Sequence, residues 1–260
     1  QLGLRHVGLP LDDHGIVPEA FENACQQHAP RALYCVPNQN NPTTAAMPLQ
    51  RRQSIVEIAQ RHGVVLIEDD VNLIDPSERP PALVELAPDR VVHVSSCSKT
   101  LAEGLRVGIV RPPVSLREAM GNALRSQCWM APPLMGEVAC RWIHSGVAAE
   151  LARTQREEIG ARQALVDRVF AGRSYASQPY GFNVWLRLPE PWRASAFVDR
   201  CRERGVVIKT GEPFAVGSYP VPQAVRICVS AAPSREALRV GLESIRAVLE
   251  EVPSVSLSVL

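Results

Sequence analysis

Lysine is nearly absent from this sequence. Lys99 and Lys209 are the only two, so 26 of the 28 basic residues are arginine. An arginine guanidinium keeps its proton in proteins and cannot act as an amine nucleophile, which leaves only these two side chains able to do so. An excess of charge of either sign is lacking as well. The formal net charge is +1 and no run of like charges exceeds three residues. That argues against a nucleic-acid surface within these residues, because phosphate binding needs a basic patch. No apolar stretch approaches the roughly 20 residues that span a bilayer, so no membrane segment is expected. The seven cysteines are odd in number, scattered, and free of any CxxC pair. Such spacing points away from a disulfide framework or a structural zinc site and towards a reducing cytoplasm. An initiator Met and a signal peptide are missing too. The chain begins at Gln1 and reads as a piece of something longer.

What is present is an ordinary globular balance, 46% hydrophobic and 21% charged over 260 residues, enough for one large domain or two modest ones. In the first half, short apolar runs alternate with helical patterns. Residues 17–28 look helical, 33–36 is a short apolar run, and 47–62 sets Ile55, Ile58 and Ala59 on one helical face before Gly63. Strands are expected at 64–67, 91–94 and 107–110. This order predicts an α/β fold, a mostly parallel sheet with helices on both faces. Ligands collect beyond the carboxyl ends of the strands in such sheets, and Asn41, Asp69 and the stretch 96–99 all follow strands. The second half differs. A long helix over about 148–170 leads to a strand at 181–188, a helix at 194–204, strands at 206–209 and 225–229, and a helix at 234–249. It reads as a smaller α+β unit, dividing the chain into domains 1–150 and 151–260.

The residue types with chemistry lie at those strand ends. Lys99 sits in Ser95-Ser96-Cys97-Ser98-Lys99-Thr100, with Arg106 seven residues on. Hydroxyls of Ser96 and Ser98 and a guanidinium can converge on one phosphate, and the amine between them can form a Schiff base with an aldehyde. A Ser-rich turn with an ordinary solvated lysine is the plain alternative. Asp69, closing an apolar strand, can salt-bridge a protonated ring nitrogen, or it can be a solvated strand end. Asn41 is a turn residue by propensity that can also bond a ring hydroxyl. Arg226 interrupts an apolar strand, either as an edge charge or as a clamp for a carboxylate.

Asn41-Pro42-Thr43, Met47 with Arg51-Arg52, Glu68-Asp69-Asp70, the run Ser96 to Leu101, and Gly104-Leu105-Arg106-Val107-Gly108 occur in that order. Together they resemble class I/II aminotransferases of fold type I, which depend on pyridoxal phosphate (PLP). Within that group the wording is most similar to the aminotransferase-like domain of MocR-type regulators of the GntR family. The resemblance covers nearly the whole chain and implies the aspartate-aminotransferase fold. It further implies that Lys99 forms the link to the cofactor and later moves the substrate's Cα proton, and that Asp69 pairs with the pyridine nitrogen. Asn41 would bond the phenolic oxygen, Ser96, Ser98 and Arg106 would hold the phosphate, and Arg226 would take a substrate α-carboxylate. Asn72 stands at a cofactor-binding position where such proteins usually carry tyrosine. Thr44 replaces a usual glycine, and Glu103 a usual proline. The family's first third of the large domain, and in regulators a winged helix-turn-helix that binds DNA, are expected upstream of Gln1. A homodimer is expected as well.

Three functions follow from the resemblance. One is the effector-sensing region of a regulator, binding an amino compound as an external aldimine. Another is a free-standing aminotransferase that passes an amino group between an amino acid and a 2-oxo acid. The third is an inactive dimerisation scaffold.

Overall fold

The β-branched side chains clustered at 64–67 and 91–94 are stiff and favour extended backbone, and both runs become inner strands of one sheet. The structure is a computed structural model that describes residues 3–72, 76–217 and 219–251. It divides the chain into two units: Leu9–Asn40 with Ala45–Glu158, and Gln1–Gly8 with Asn41–Thr44 and Ile159–Leu260.

The first unit opens with a short hairpin, β1 (Leu11–Asp12) and β2 (Gly15–Ile16). It continues through α1 (Pro18–His28), β3 (Ala32–Cys35), α2 (Leu49–His62), β4 (Val65–Asp69), α3 (Leu83–Leu86) and β5 (Val91–Ser96). The one-turn helix α4 (Cys97–Thr100), β6 (Gly108–Arg111), α5 (Arg117–Cys128), α6 (Pro133–His144) and the start of α7 (Val147–Val169) complete it. Pro18 suits the first turn of α1, where its missing N–H is not needed. Gly63 ends α2 at φ 69°, its N–H bonded to the carbonyls of Ala59 and Gln60.

The sheet runs β3-β4-β5-β6, with the first two pairings parallel and the last antiparallel. The expected α/β fold is therefore present, with one strand reversed. Only α4 and a tight turn separate β5 from β6, which is too short for a parallel crossover. Period-two alternation then sorts the side chains of the inner strands. Leu33, Cys35, Leu66, Glu68, Val91 and His93 share one face; Tyr34, Ile67, Asp69, Val94 and Ser96 share the other. The apolar members of the first face join Phe21, Ile55 and Leu83 in a core against α1, α2 and α3.

The second unit contains the sheet β7 (Tyr175–Ser177), β8 (Asn183–Arg187), β10 (Ala224–Cys228) and β9 (Lys209–Thr210), in that spatial order and antiparallel throughout. Helices α8 (Ala194–Glu203) and α9 (Arg235–Leu249) accompany it, α9 capped by the Ser234 hydroxyl on the Ala237 N–H at 3.0 Å. The strand expected at 206–209 is shorter than anticipated, because β10 offers it register partners only at Val225 and Arg226. Helices α5 and α6 had no counterpart in the sequence pattern. The first buries no residue, whereas the second sets Met135, Val138, Ala139 and Trp142 on one face against Leu101 and Leu105.

Arg52, inside α2, is fully buried. Its Nε donates to the Met47 carbonyl at 2.9 Å, one terminal nitrogen to the Pro81 carbonyl at 3.1 Å, and the other to the Asn38 side chain. Arg52→Met removes the donor and strands those acceptors in the core. We expect a loss of about 3 kcal/mol in unfolding free energy, measured by urea denaturation; a loss below about 1 kcal/mol would mean that water replaces the guanidinium.

Candidate functional site

The three carboxylates that close β4 fall into different surroundings, because successive side chains leave a strand on opposite faces. Glu68 is fully buried, and its two oxygens accept the N–H groups of Leu83 (2.8 Å) and Val84 (3.0 Å). Burial pushes its carboxyl above the usual range despite those two bonds. It is a fastening between sheet and α3.

Asp70 accepts hydrogen bonds from Asn38 and Asn72, faces His93 Nε2 at 3.1 Å and lies 3.4 Å from Arg79. Burial raises its pKa, but the His93 bond, the Arg79 charge and the Asn38 amide outweigh it and hold the carboxyl below the usual value. The bond to Asp70 in turn raises His93 against its own burial, with the charges of Glu68 and Asp70 adding to the rise.

Asp69 points to the opposite face. Its Oδ2 accepts the Tyr34 hydroxyl at 2.6 Å, and its Oδ1 is buried with no hydrogen-bond partner among the described residues. A buried carboxylate oxygen without a donor is costly, and it marks a place where a donor from outside the chain fits.

Lys99 lies at the same end of the sheet. Asp69 is in register with Val94 on β5, and the Asp70 N–H bonds the Val94 carbonyl at 2.8 Å; Lys99 follows five residues later on α4. Its Nζ is 3.5 Å from Glu103 Oε1, with the two side chains 46% and 80% exposed. A pair that long and that wet contributes at most about 1 kcal/mol. Ser96 accepts the Ser98 N–H at 3.1 Å and turns its own hydroxyl to the Val107 carbonyl at 3.4 Å, so it caps α4. Arg106, at φ 50°, turns its guanidinium back to 3.5 Å from the Ser98 hydroxyl. A hydroxyl beside an arginine fork is a donor set suited to a phosphate.

Asn41 and Arg226 meet in the second unit, where Arg226 donates to Asn41 Oδ1 at 3.1 Å. The guanidinium stands 4.9 Å from the centre of the Phe214 ring, and its Nε is buried with no partner among the described residues. A cation with a donor still unmet is suited to an anionic ligand group. Asn72 gives its amide to Asp70. Thr44 sits at φ 64°, where glycine is at ease and a β-branched residue is strained.

Sequence reasoning passed over Tyr34, Asn38 and His93. The one signal available for Tyr34 was its place in the alternation of β3, between the buried Leu33 and Cys35.

The profile of the family described as aminotransferase class I and II matches residues 9–245. The chain is 31% identical over 251 residues to the uncharacterized HTH-type transcriptional regulator YdeF of Bacillus subtilis (strain 168), an alignment that takes in 96% of this chain and 54% of that protein. It is 29% identical over 223 residues to the 2-aminoadipate transaminase of Thermus thermophilus, covering 82% and 56%. Among solved structures, LysN, the α-aminoadipate aminotransferase of Thermus thermophilus complexed with N-(5'-phosphopyridoxyl)-L-leucine, superposes with a TM-score of 0.81 at 25% identity. That match covers 94% of this chain and 65% of LysN. The chain thus spans about half the length of the curated relatives it matches.

The Asp70–His93 pair carries a pH signature. A raised histidine contributes stability that is fully present below its unfolded value of 6.5 and is lost as pH rises through the folded value. The depressed Asp70 acts at the acid end, its contribution present above 3.8 and lost as pH falls through the folded value. The raised Glu68 adds to the decline with rising pH. In urea titrations from about pH 5.5 to about pH 8.5, wild type should exceed His93→Gln in stability most at the acid end, and the gap should shrink upward. A gap that widens upward would contradict the pairing.

Proposed function

The chain belongs to the aminotransferase class I and II family, and on that premise we propose that it is the effector-sensing region of a MocR/GntR-type transcriptional regulator. An amino compound engages the cofactor, and the response passes to a DNA-binding helix-turn-helix domain outside these residues. The observation that carries this reading is the alignment with the HTH-type regulator YdeF, which is 31% identical over 251 residues and takes in 96% of this chain.

The cofactor is pyridoxal phosphate. When bound, it supplies an electron sink for bonds at the Cα of an amino compound. The residues present fit it. In this proposal Lys99 would be the residue that holds the cofactor at its aldehyde carbon, and, once displaced by the ligand's amine, its free amine would hold the proton at the ligand's Cα. Asp69 Oδ1, buried and lacking a donor, accepts the pyridine N–H. The Ser98 hydroxyl and the Arg106 guanidinium hold the phosphate, and Ser96 acts with them through the cap it places on the Ser98 N–H. The Asn41 amide donates to the phenolic oxygen, and Arg226 forks a ligand carboxylate through the Nε left without a partner. Asn72 serves the same loop by anchoring Asp70. Residues 1–150 form the cofactor-binding domain and 151–260 the smaller one, in a cytoplasmic homodimer.

A free-standing aminotransferase is the second reading, favoured by the identity to a 2-aminoadipate transaminase together with retention of Lys99, Asp69, Arg106 and Arg226. An upstream coding segment with no winged helix-turn-helix would remove the regulator. Stoichiometric conversion of the bound cofactor to its amine form by some amino acid would favour the enzyme.

Borohydride reduction of the protein loaded with PLP tests the reading common to both. Peptide mass mapping should find the reduced cofactor on Lys99 and none on Lys209, and Lys99→Ala should lose the label entirely. A label on Lys209, or on neither lysine, would refute the assignment.

A further inference from the structure

We infer that Tyr34 is a positioning residue for the cofactor's ring nitrogen: its hydroxyl holds one oxygen of Asp69 so that the other faces the ring. The inference rests on the placement of PLP proposed above and goes one residue deeper. Tyr34 lies on β3, two strands from Lys99, and shares the sheet face of Asp69, Val94 and Ser96. The residue is 58% exposed, so packing does not explain its orientation. The 2.6 Å bond to Asp69 Oδ2 does.

A carboxylate at a strand tip can rotate about its last bond and present either oxygen, or neither, to a ligand. One short bond from a rigid phenol removes that freedom. Partial desolvation, the bond to Asp69 and the negative charge there all push the Tyr34 pKa up, so the phenol stays protonated and remains a donor at neutral pH. Asp69 Oδ1 is then the one acceptor left to meet the pyridine N–H, and it is already desolvated. The arrangement pre-orders the partner of the ring before the ring arrives, and pre-ordering is rewarded as affinity.

The test compares wild type, Tyr34→Phe and Asp69→Asn in the intact protein that carries this chain. Three quantities are read: the PLP dissociation constant, the 15N resonance of PLP labelled at the pyridine nitrogen, and the thermal midpoint of the cofactor-free protein. Tyr34→Phe keeps the ring and removes only the donor. It should weaken PLP binding about tenfold, the usual scale for one hydrogen bond to a charged group. The 15N resonance should move towards the unprotonated position, in the same direction as Asp69→Asn moves it, while the midpoint shifts by no more than about 2 °C. The double variant should be little worse than Asp69→Asn alone, because Tyr34 acts through that carboxylate. Unchanged affinity and resonance in Tyr34→Phe, with wild type binding PLP normally, would overturn the inference and leave the proposed function standing. A lowered midpoint and weaker binding with no change in resonance would also overturn it, by showing a structural role only. Failure of wild type itself to bind PLP would instead bring down the proposed function.

Discussion

Asp69 holds one carboxylate oxygen against the Tyr34 hydroxyl and keeps the other buried with no donor among the described residues, and the rest of the site is arranged around that asymmetry. A folded protein seldom leaves a carboxylate oxygen desolvated and unmet, since the cost is of the order of 1 kcal/mol or more. The position at the carboxyl end of β4, in the same unit as the short helix α4 that carries Lys99, is where a parallel sheet offers room for a ligand. A cationic ring nitrogen bearing a hydrogen satisfies that oxygen in both charge and hydrogen bonding. PLP carries such a nitrogen, together with an aldehyde for a lysine and a phosphate for a hydroxyl–arginine pair.

Strand alternation keeps this face separate from a second polar system on the other side of the same strands. There Glu68, Asp70, His93, Asn38 and Arg52 bond one another or the backbone at the edge of the apolar core. Their work is to pin the segments after β3 and β4. Asp70, next in sequence to Asp69, is held by Asn38, Asn72, His93 and Arg79, so the backbone that presents Asp69 has little room to move. Stability and ligand geometry are thus coupled through adjacent residues that face opposite ways.

Much of this was legible in the sequence, for definable reasons. The strands at 64–67 and 91–94 show as short runs rich in β-branched apolar residues, interrupted only by His93. Lys99 stands out because lysine is so scarce, and because serines and Arg106 surround it. The direction of β6 was not legible, since a strand's pairing partner depends on the length of its connection and on space. Helix α5 escaped because it buries no face, while α6 was overlooked although Met135, Val138, Ala139 and Trp142 recur at helical spacing. Tyr34 and His93 escaped for another reason: each gains its meaning from a cross-strand register, Tyr34 beside Ile67 and His93 beside Glu68. Nothing local to either residue announces its partner, which lies 35 residues away for Tyr34 and 23 for His93.

The most direct measurement is a crystal structure of the protein grown with PLP. The account predicts the pyridine nitrogen within about 3 Å of Asp69 Oδ1, continuous density from Lys99 Nζ to the cofactor's aldehyde carbon, and the phosphate beside Ser98 and Arg106. Cofactor density elsewhere on the molecule, with Asp69 Oδ1 meeting only water, would contradict it.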